Sequence, residues 1–461
     1  MRKFVTRLLI AVSATSLTAC AAVPKPPPHS APAEALGAFQ GGRAPLTVDA
    51  APPTDWWRLF SDQALDGHIQ RALAANTDLR VAVANLKAAR AAAHQAEAAR
   101  WPATVIESGA GPDRADRQPS TSSIPKTSYE LGATVAFEID LFGRLSSETT
   151  AANAEAEALA AARDAAKVAV VGDTMSAYLD LCAANAGENL ALALTKAQQR
   201  SYELVSEQLR AGEVSPLEVG QARTLLEQMK AAAPVFAADR RRALYRLATL
   251  EGLAPAEALK FDAACPAPPR IDAPLPVGDG AALIARRPDV RSAEQKLVAA
   301  SARIGVARAD LYPRILLGGS GGLIAGGSDA ILTPLITWAL PNKGVIRAKI
   351  AAARGGSDAA LAAWDGVMLT ALREVETALS DYQAEMTRHQ KLASAAAESD
   401  HAVRRANARH RLGADSYLVV IDAERSRNTV AAQLLASDLR LAQMQVALFR
   451  ALGGGWEGAT Q

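Results

Sequence analysis

Tyr129-Glu130-Leu131-Gly132-Ala133-Thr134-Val135-Ala136-Phe137-Glu138-Ile139-Asp140-Leu141 alternates between two kinds of side chain from end to end. Tyr129, Leu131, Ala133, Val135, Phe137, Ile139 and Leu141 fall on one side, and Glu130, Gly132, Thr134, Ala136, Glu138 and Asp140 on the other. Successive residues of a strand point to opposite faces, so a period of two predicts a strand with one apolar and one polar face. Continued to Phe142, it is longer than the roughly 9–11 residues that a tilted strand needs to cross hydrocarbon. A soluble sandwich strand with one buried face has the same pattern, and the rest of the chain has to separate the two.

Thr104 to Gly111, Arg314 to Leu323 and Ala330 to Leu340 are its partner segments, Gly-rich or uniformly apolar and less regular in alternation. After the first twenty positions no apolar run is long enough for a transmembrane helix, which needs about 20 residues. A membrane span here has to be made of strands closed into a barrel, because open edges do not survive in lipid. Four strands cannot close one, so several copies of the chain would have to combine.

Around the strands the chain reads as helix. Leu65 to Ala99 is rich in Ala, Leu, Arg and Gln, contains no breaker, and predicts one helix that Pro102 stops. Leu145 to Leu209 and Arg347 to Leu412 contain no Pro. At 1.5 Å per residue each would reach roughly 95 Å. A returning helix follows each: Ala222, Met229, Phe236, Ala243 and Leu250 recur every seven residues, as do Leu434, Leu441 and Leu448. That spacing asks for a partner helix along the full length. Pro234 predicts a kink or break in the first returning helix.

The same order occurs twice. Asn76-Thr77-Asp78-Leu79-Arg80 returns as Arg287-Pro288-Asp289-Val290-Arg291, and Arg100-Trp101-Pro102 as Leu311-Tyr312-Pro313. Arg210-Ala211-Gly212-Glu213-Val214-Ser215-Pro216-Leu217 returns as Arg411-Leu412-Gly413-Ala414-Asp415-Ser416-Tyr417-Leu418, and Leu247 to Gly252 as Leu448 to Gly453. The predicted organisation is an export signal at 1–19, an N-terminal linker at 20–54, a first repeat at 55–253, a second linker at 254–280, a second repeat at 281–455 and a short tail at 456–461. Both linkers are rich in Pro and Ala and read as extended.

Arg2, Lys3 and Arg7 followed by the apolar stretch Leu8 to Leu17 predict the export signal. Leu17-Thr18-Ala19-Cys20 resembles the bacterial lipobox, which implies that Cys20 becomes an acylated N-terminus; the alternative is an unmodified Cys beside an ordinary cleavage site. Ala21 in place of Asp implies sorting to the outer membrane. Cys182 and Cys265 lack CxxC spacing and read as a core thiol and an incidental one, with a disulfide in an oxidising periplasm as the less favoured alternative. Fifty Lys+Arg against 48 Asp+Glu, interleaved, leave no basic footprint for nucleic acid. Hydrophobic residues make up 49% but aromatics only 5%, a balance that suits long, closely packed helices.

Little in the sequence resembles catalytic machinery. Gly318-Gly319-Ser320-Gly321-Gly322 satisfies G-x-S-x-G, but continued Gly argues for a strand or loop where a nucleophile elbow needs strand, turn and helix. His29, His68, His94, His389, His401 and His410 are scattered and read as solvated helix or linker positions, with no metal or other cofactor implied. No phosphate loop occurs, so any energy source lies in a partner.

With Trp57-Arg58-Leu59-Phe60, Leu65-Asp66, Asp140-Leu141-Phe142-Gly143-Arg144, the Arg287-Pro288-Asp289-Val290-Arg291 box and two Gly-x-x-Ser turns in order, the chain resembles the TolC-like outer membrane factor family, in its lipoprotein branch that serves tripartite efflux pumps. The resemblance implies a mainly α fold with a membrane β-barrel: a homotrimer with a 12-stranded barrel, four strands per protomer, continuous with a helical barrel in the periplasm. It implies a passive exit duct, a periplasmic adaptor protein, an inner-membrane pump of the RND type and outer-membrane lipid as partners. Arg210, Gly212, Ser215, Leu217, Arg411, Gly413, Ser416 and Leu418 match the hairpin tips that meet the adaptor, or are turn residues only. Asp422 matches a carboxylate ringing the closed mouth, with Asp415 adding to the field; the alternative is a helix acid paired with Arg425. Leu340-Pro341-Asn342-Lys343-Gly344 departs from the family pattern. A type I protein-secretion channel and a lipid-anchored coiled coil that never spans the membrane are the competing readings.

Overall fold

The computed structural model describes residues 23–33, 36–42, 46–112, 127–261, 264–324, 327–337 and 343–454. A short strand at Thr47–Val48 (β1) and a 3-10 turn at Trp56–Phe60 lead into α1 (Gln63–Ala75) and α2 (Thr77–Ala98). β2 (Ala103–Pro112) and β3 (Thr127–Ile139) follow, then α3 (Arg144–Arg210) and α4 (Pro216–Leu250). After a 3-10 turn at Pro255–Lys260 and β4 (Leu275–Pro276), the pattern repeats as α5 (Gly280–Arg286), α6 (Pro288–Ala309), β5 (Arg314–Ile324), β6 (Gly327–Thr337), α7 (Lys343–Arg411) and α8 (Tyr417–Ala451). The duplication extends to length: α2 and α6 have 22 residues each, α3 and α7 have 67 and 69, and α4 and α8 have 35 each.

The expected single helix from Leu65 to Ala99 is two helices. Asn76 breaks it with an extended backbone, and its carboxamide oxygen accepts from the amides of Asp78 (2.9 Å) and Leu79 (3.0 Å) to cap α2. Its Nδ2 also donates to the carbonyl of Leu250 at 3.0 Å. The matching junction in the second half lies between α5 and α6, where Pro288 opens the new helix. Pro234 has the opposite outcome, since α4 continues through it without a break. Proline removes one hydrogen bond, and the remaining 35-residue ladder outweighs that local loss.

The four long strands form one antiparallel sheet in the order β2-β3-β5-β6. β3 pairs with β2 from Ala103↔Ala136 to Pro112↔Thr127 and with β5 from Glu130↔Ile324 to Ile139↔Ile315, so each repeat supplies one hairpin. Gly318 to Gly322 lies inside β5, which pairs on both sides and leads to β6. The strand-turn-helix context of a nucleophile is therefore missing from this run.

Packing divides the chain into two compact units, Met1–Ser30 with Ala84–Ala161 and Arg291–Val367, and Ala31–Val83 with Ala162–Val290 and Met368–Gln461. Within the first, helices meet through small residues: Ser301 and Ser357 Oγ atoms are 3.1 Å apart, and Ser292 Oγ donates to the Ala158 carbonyl at 2.9 Å. Within the second lies the main core, where Trp56 stacks on Phe449 with centroids 4.8 Å apart and Leu65, Ile69, Met175, Leu179, Leu247 and Leu441 are buried around them.

The second linker and the part of the first from Ala31 onward belong to this second unit. β1 pairs in parallel with β4, Thr47↔Leu275 and Val48↔Pro276, and Ile271, Leu275 and Val277 are buried. Cys182 of α3 and Cys265 of the second linker form a disulfide across 83 residues. The reading as two unrelated thiols is thereby corrected; neither sequence neighbourhood reveals that the linker folds back on α3. His68 is a second correction, since it is buried, with Nδ1 2.5 Å from Glu251 Oε1, and not a solvated helix position. Arg71 donates to the other Glu251 oxygen at 2.7 Å. Burial raises the Glu251 pKa, but hydrogen bonds from His68 and Arg71 prevail and leave it below the ordinary range.

Candidate functional site

The first candidate is the face of the sheet. Residues directly opposite in an antiparallel pair share a face. Leu131, Ala133, Val135, Phe137 and Ile139 of β3 are thus joined by Thr104 and Ile106 of β2 and by Ile315 and Leu317 of β5. None of these side chains is buried: Ile106 is 73% and Leu131 53% exposed, and Val135, Ile139 and Leu317 are exposed as well. The opposite face carries Thr134, Glu138 and small residues together with Val105 and Leu316. The side chain of Tyr129 lies outside the described residues. β2 and β6 each have one strand neighbour among the described residues, leaving two edges.

The expected continuation of the strand through Leu141 is corrected, because β3 ends at Ile139. Asp140 ends it by capping the next helix: its carboxylate accepts from the Leu145 amide (3.0 Å), the Ser146 amide (2.8 Å) and the Ser146 hydroxyl (2.6 Å). Burial raises its pKa, and these three bonds outweigh that and leave it lowered. Gly143 takes φ +72°, where a side chain would be strained. Arg144 then ties the helix start back to the strand, donating to Glu138 at 2.7 and 2.9 Å and to Glu148 at 2.9 Å. The Asp140-to-Arg144 segment is a strand-to-helix joint.

The second candidate is the pair of hairpin tips in the other unit. α3 closes at Gly212 (φ +77°), with Gly212 N donating to Leu209 O at 3.0 Å and Glu213 N to Gln208 O at 2.9 Å. α7 closes identically at Gly413 (φ +69°), with Gly413 N on His410 O at 2.9 Å and Ala414 N on Arg409 O at 3.0 Å. Both are Schellman closures that need a left-handed residue. Arg210, Gly212, Ser215, Leu217, Arg411, Gly413, Ser416 and Leu418 are all exposed. Leu412, which the sequence reading did not single out, is 84% exposed beside them. The tips share a small core of Val205, Ala222, Ala406, Tyr417, Val420 and Ile421. Burial pushes the Tyr417 phenol up to about 12, against the opposing hydrogen bond with Ser201.

The acids near the tips differ. Asp415 is held by Arg409 through bonds of 2.5 and 2.9 Å, and that guanidinium keeps its carboxyl below the ordinary range. Asp422 and Arg425 are exposed on α8, and no ion pair joins them among the described residues. Arg425 borders a cavity of about 1080 Å³ between α3, α4, α7 and α8. Leu190, Met229, Phe236 and Leu439 line it, so the seven-residue stripe of α4 is not covered along its whole length.

A family description, outer membrane efflux protein, matches residues 68–253 and 281–454. The chain belongs to the outer membrane efflux protein family. It is 32% identical over 476 residues to outer membrane protein OprJ of Pseudomonas aeruginosa, covering 98% of this chain and 96% of the relative. It is 31% identical over 465 residues to the toluene efflux pump outer membrane protein TtgI of Pseudomonas putida, covering 95% and 96%. Among solved structures it superimposes on the outer-membrane channel OprN with a TM-score of 0.86 at 33% identity, over 94% of this chain and 99% of that one. It superimposes on the open state of the MtrE channel of Neisseria gonorrhoeae with a TM-score of 0.76 at 26% identity, over 95% and 100%. Members of this efflux family are transporters of the outer membrane, and this chain is an outer-membrane protein with their TolC-like fold.

For this efflux-family chain, the Arg287-Pro288-Asp289 box has a structural explanation. Arg287 is buried and donates to Asp289 (2.7 and 2.9 Å), Glu374 (2.8 Å) and the Ala451 carbonyl (2.7 Å), tying α6, α7 and the end of α8 together. Gly453, at φ +68°, leaves room for it, since a Cβ there would lie 2.9 Å from Arg287 Cγ. Trp57 Nε1 similarly donates to Asp66 at 2.8 Å and fixes the start of α1. Cys20 and residues 340–342 lie outside the described residues.

Proposed function

We propose that this protein is the exit duct of a tripartite efflux system, carrying small molecules outward through the outer membrane without chemistry of its own. The sheet carries the argument: an apolar face that none of the described residues buries, on four strands with two edges left over among those residues. In lipid that face gains an apolar environment, and the edges require neighbouring copies. Three copies would give twelve strands, the homotrimer expected from the resemblance. The long helix pairs would extend the wall as a water-filled tunnel, with Cys20 as an acylated anchor in outer-membrane lipid.

The exposed tips at Arg210, Gly212, Ser215 and Leu217 and at Arg411, Gly413, Ser416 and Leu418 would meet a periplasmic adaptor, and an inner-membrane RND-type pump would supply energy and choose the cargo. Exposed Asp422 would ring the mouth, with Arg425 beside it; Asp415 contributes less field because Arg409 compensates it. Detergent-extracted protein should migrate at trimer size until heated and should conduct in planar bilayers. A monomer without conductance, soluble in water once its anchor is cleaved, would overturn the reading.

A further inference from the structure

One carboxylate at the tips belongs to both hairpins. Glu218 stands in the first turn of α4, and its Oε2 accepts from the Ser215 amide at 2.8 Å and the Ser215 hydroxyl at 3.1 Å. Its Oε1 accepts from the Ser416 hydroxyl at 3.0 Å, 198 residues away. Ser215 and Ser416 are the N-cap residues of α4 and α8. The amides at a helix start lack intrahelical acceptors and carry a partial positive charge. Glu218 therefore joins two helix starts through one negative charge, one oxygen directed to the Ser215 amide and hydroxyl and the other to the Ser416 hydroxyl.

We propose that Glu218 is a positioning residue that couples the two hairpin tips, holding α8 in register with α4 so that both present one composite surface. The buried cluster below them supplies apolar contact, but such contact is non-directional and leaves sliding and rotation inexpensive. The hydrogen bond to Ser416 supplies direction. The Glu218 carboxyl lies below its ordinary range, mainly through the Ser215 amide and with help from Ser416 and Tyr417, so it is charged at neutral pH. The other charged groups at these turns are exposed Arg210, Glu213 and Arg411 and the Arg409–Asp415 pair, which is satisfied within its own tip. The coupling rests on the tips reading of the duct only for its consequence, that an adaptor would meet two tips as one.

Hydrogen exchange read by mass spectrometry on the full-length extracted protein tests it without reference to conductance. Glu218→Ala should speed exchange about tenfold in peptides covering 212–219 and also in peptides covering 414–420. Ser215→Ala removes one hydroxyl from the first tip but leaves the contact to Ser416, so its effect should stay within 212–219. Ser416→Ala removes the hydroxyl that reaches Glu218 and accepts from the Leu418 amide, and should loosen 414–420 while leaving 212–219 near wild type. Glu218→Gln retains acceptor oxygen and should restore most of the protection in both. If Glu218→Ala left 414–420 at the wild-type rate, Glu218 would be a cap of α4 alone and the coupling would be refuted. Should Glu218→Ala fail to assemble, Glu218→Gln and Ser416→Ala carry the test: equal exchange in 414–420 for Ser416→Ala and wild type would refute it as well. Failure of conductance with intact coupling would count against the duct, not against Glu218.

Discussion

Removing the Cys182–Cys265 bond should destabilise the protein by an amount that loop closure sets. The bond spans 83 residues. A chain-entropy treatment gives about 4.5 kcal/mol for a loop of that size at 25 °C. Spread over the unfolding entropy of the 461-residue chain, at about 2.1 cal/mol/K per residue, this lowers the melting temperature by roughly 5 °C. Oligomerisation leaves the ratio unchanged, because bonds and unfolding entropy multiply together. Cys182→Ala, Cys265→Ala and the double variant all open the same loop and should fall by the same amount at one scan rate. A packing loss would instead differ between the fully buried Cys182 and the rim position Cys265, which is 5% exposed. Alkylation of the unfolded, unreduced wild-type chain should add no mass at either residue. Two alkylated thiols, or variants that melt with the wild type, would refute the cross-link.

Other outcomes follow from the joints. Asp140→Ala leaves the amides of Leu145 and Ser146 without their acceptor and should cost about 1–2 kcal/mol in denaturant unfolding, with Asp140→Asn recovering part of it. Glu251 has a depressed pKa, so its contribution is complete above the unfolded carboxyl value of about 4.3 and is lost as pH falls through the folded one; Glu251→Gln should flatten the acid limb of the melting-temperature profile below about pH 4.3. Asp422→Asn should weaken block of the channel by di- or trivalent cations in planar bilayers, and unchanged block would remove Asp422 from the mouth.

What the sequence disclosed depended on how local each signal was. The alternation from Leu131 to Ile139 is a property of extended backbone and is legible without neighbours. Its end is not, because Asp140 looks like one more polar residue until its carboxylate is seen on α3. Asn76 was hidden among good helix formers, although Asn-Thr-Asp aligned with Arg-Pro-Asp in the other repeat marks a cap beside a proline that opens a helix. Pro234 does not break its helix, since local cost is visible in sequence and the support of a long helix is not. The disulfide required knowing that the second linker folds back on α3. Ser215-x-x-Glu218 is legible as a capping box, whereas its second partner, Ser416, is not.

Duplication explains both the likeness and the difference of the halves. Two copies of one unit share helix lengths and both Schellman glycines, so the tips start with the same backbone and the same orphan amides. Their side chains then diverge: the first tip keeps Glu218, while the second replaces the matching acid with Val419 and spends its own acid, Asp415, on Arg409. The second helix start is thereby short of one carboxylate, and the first supplies it. A repeat whose helix start is tied to its sibling cannot separate its tip freely, so any opening between these hairpins has to begin by giving the hydroxyl of Ser416 another acceptor, water or a partner's side chain.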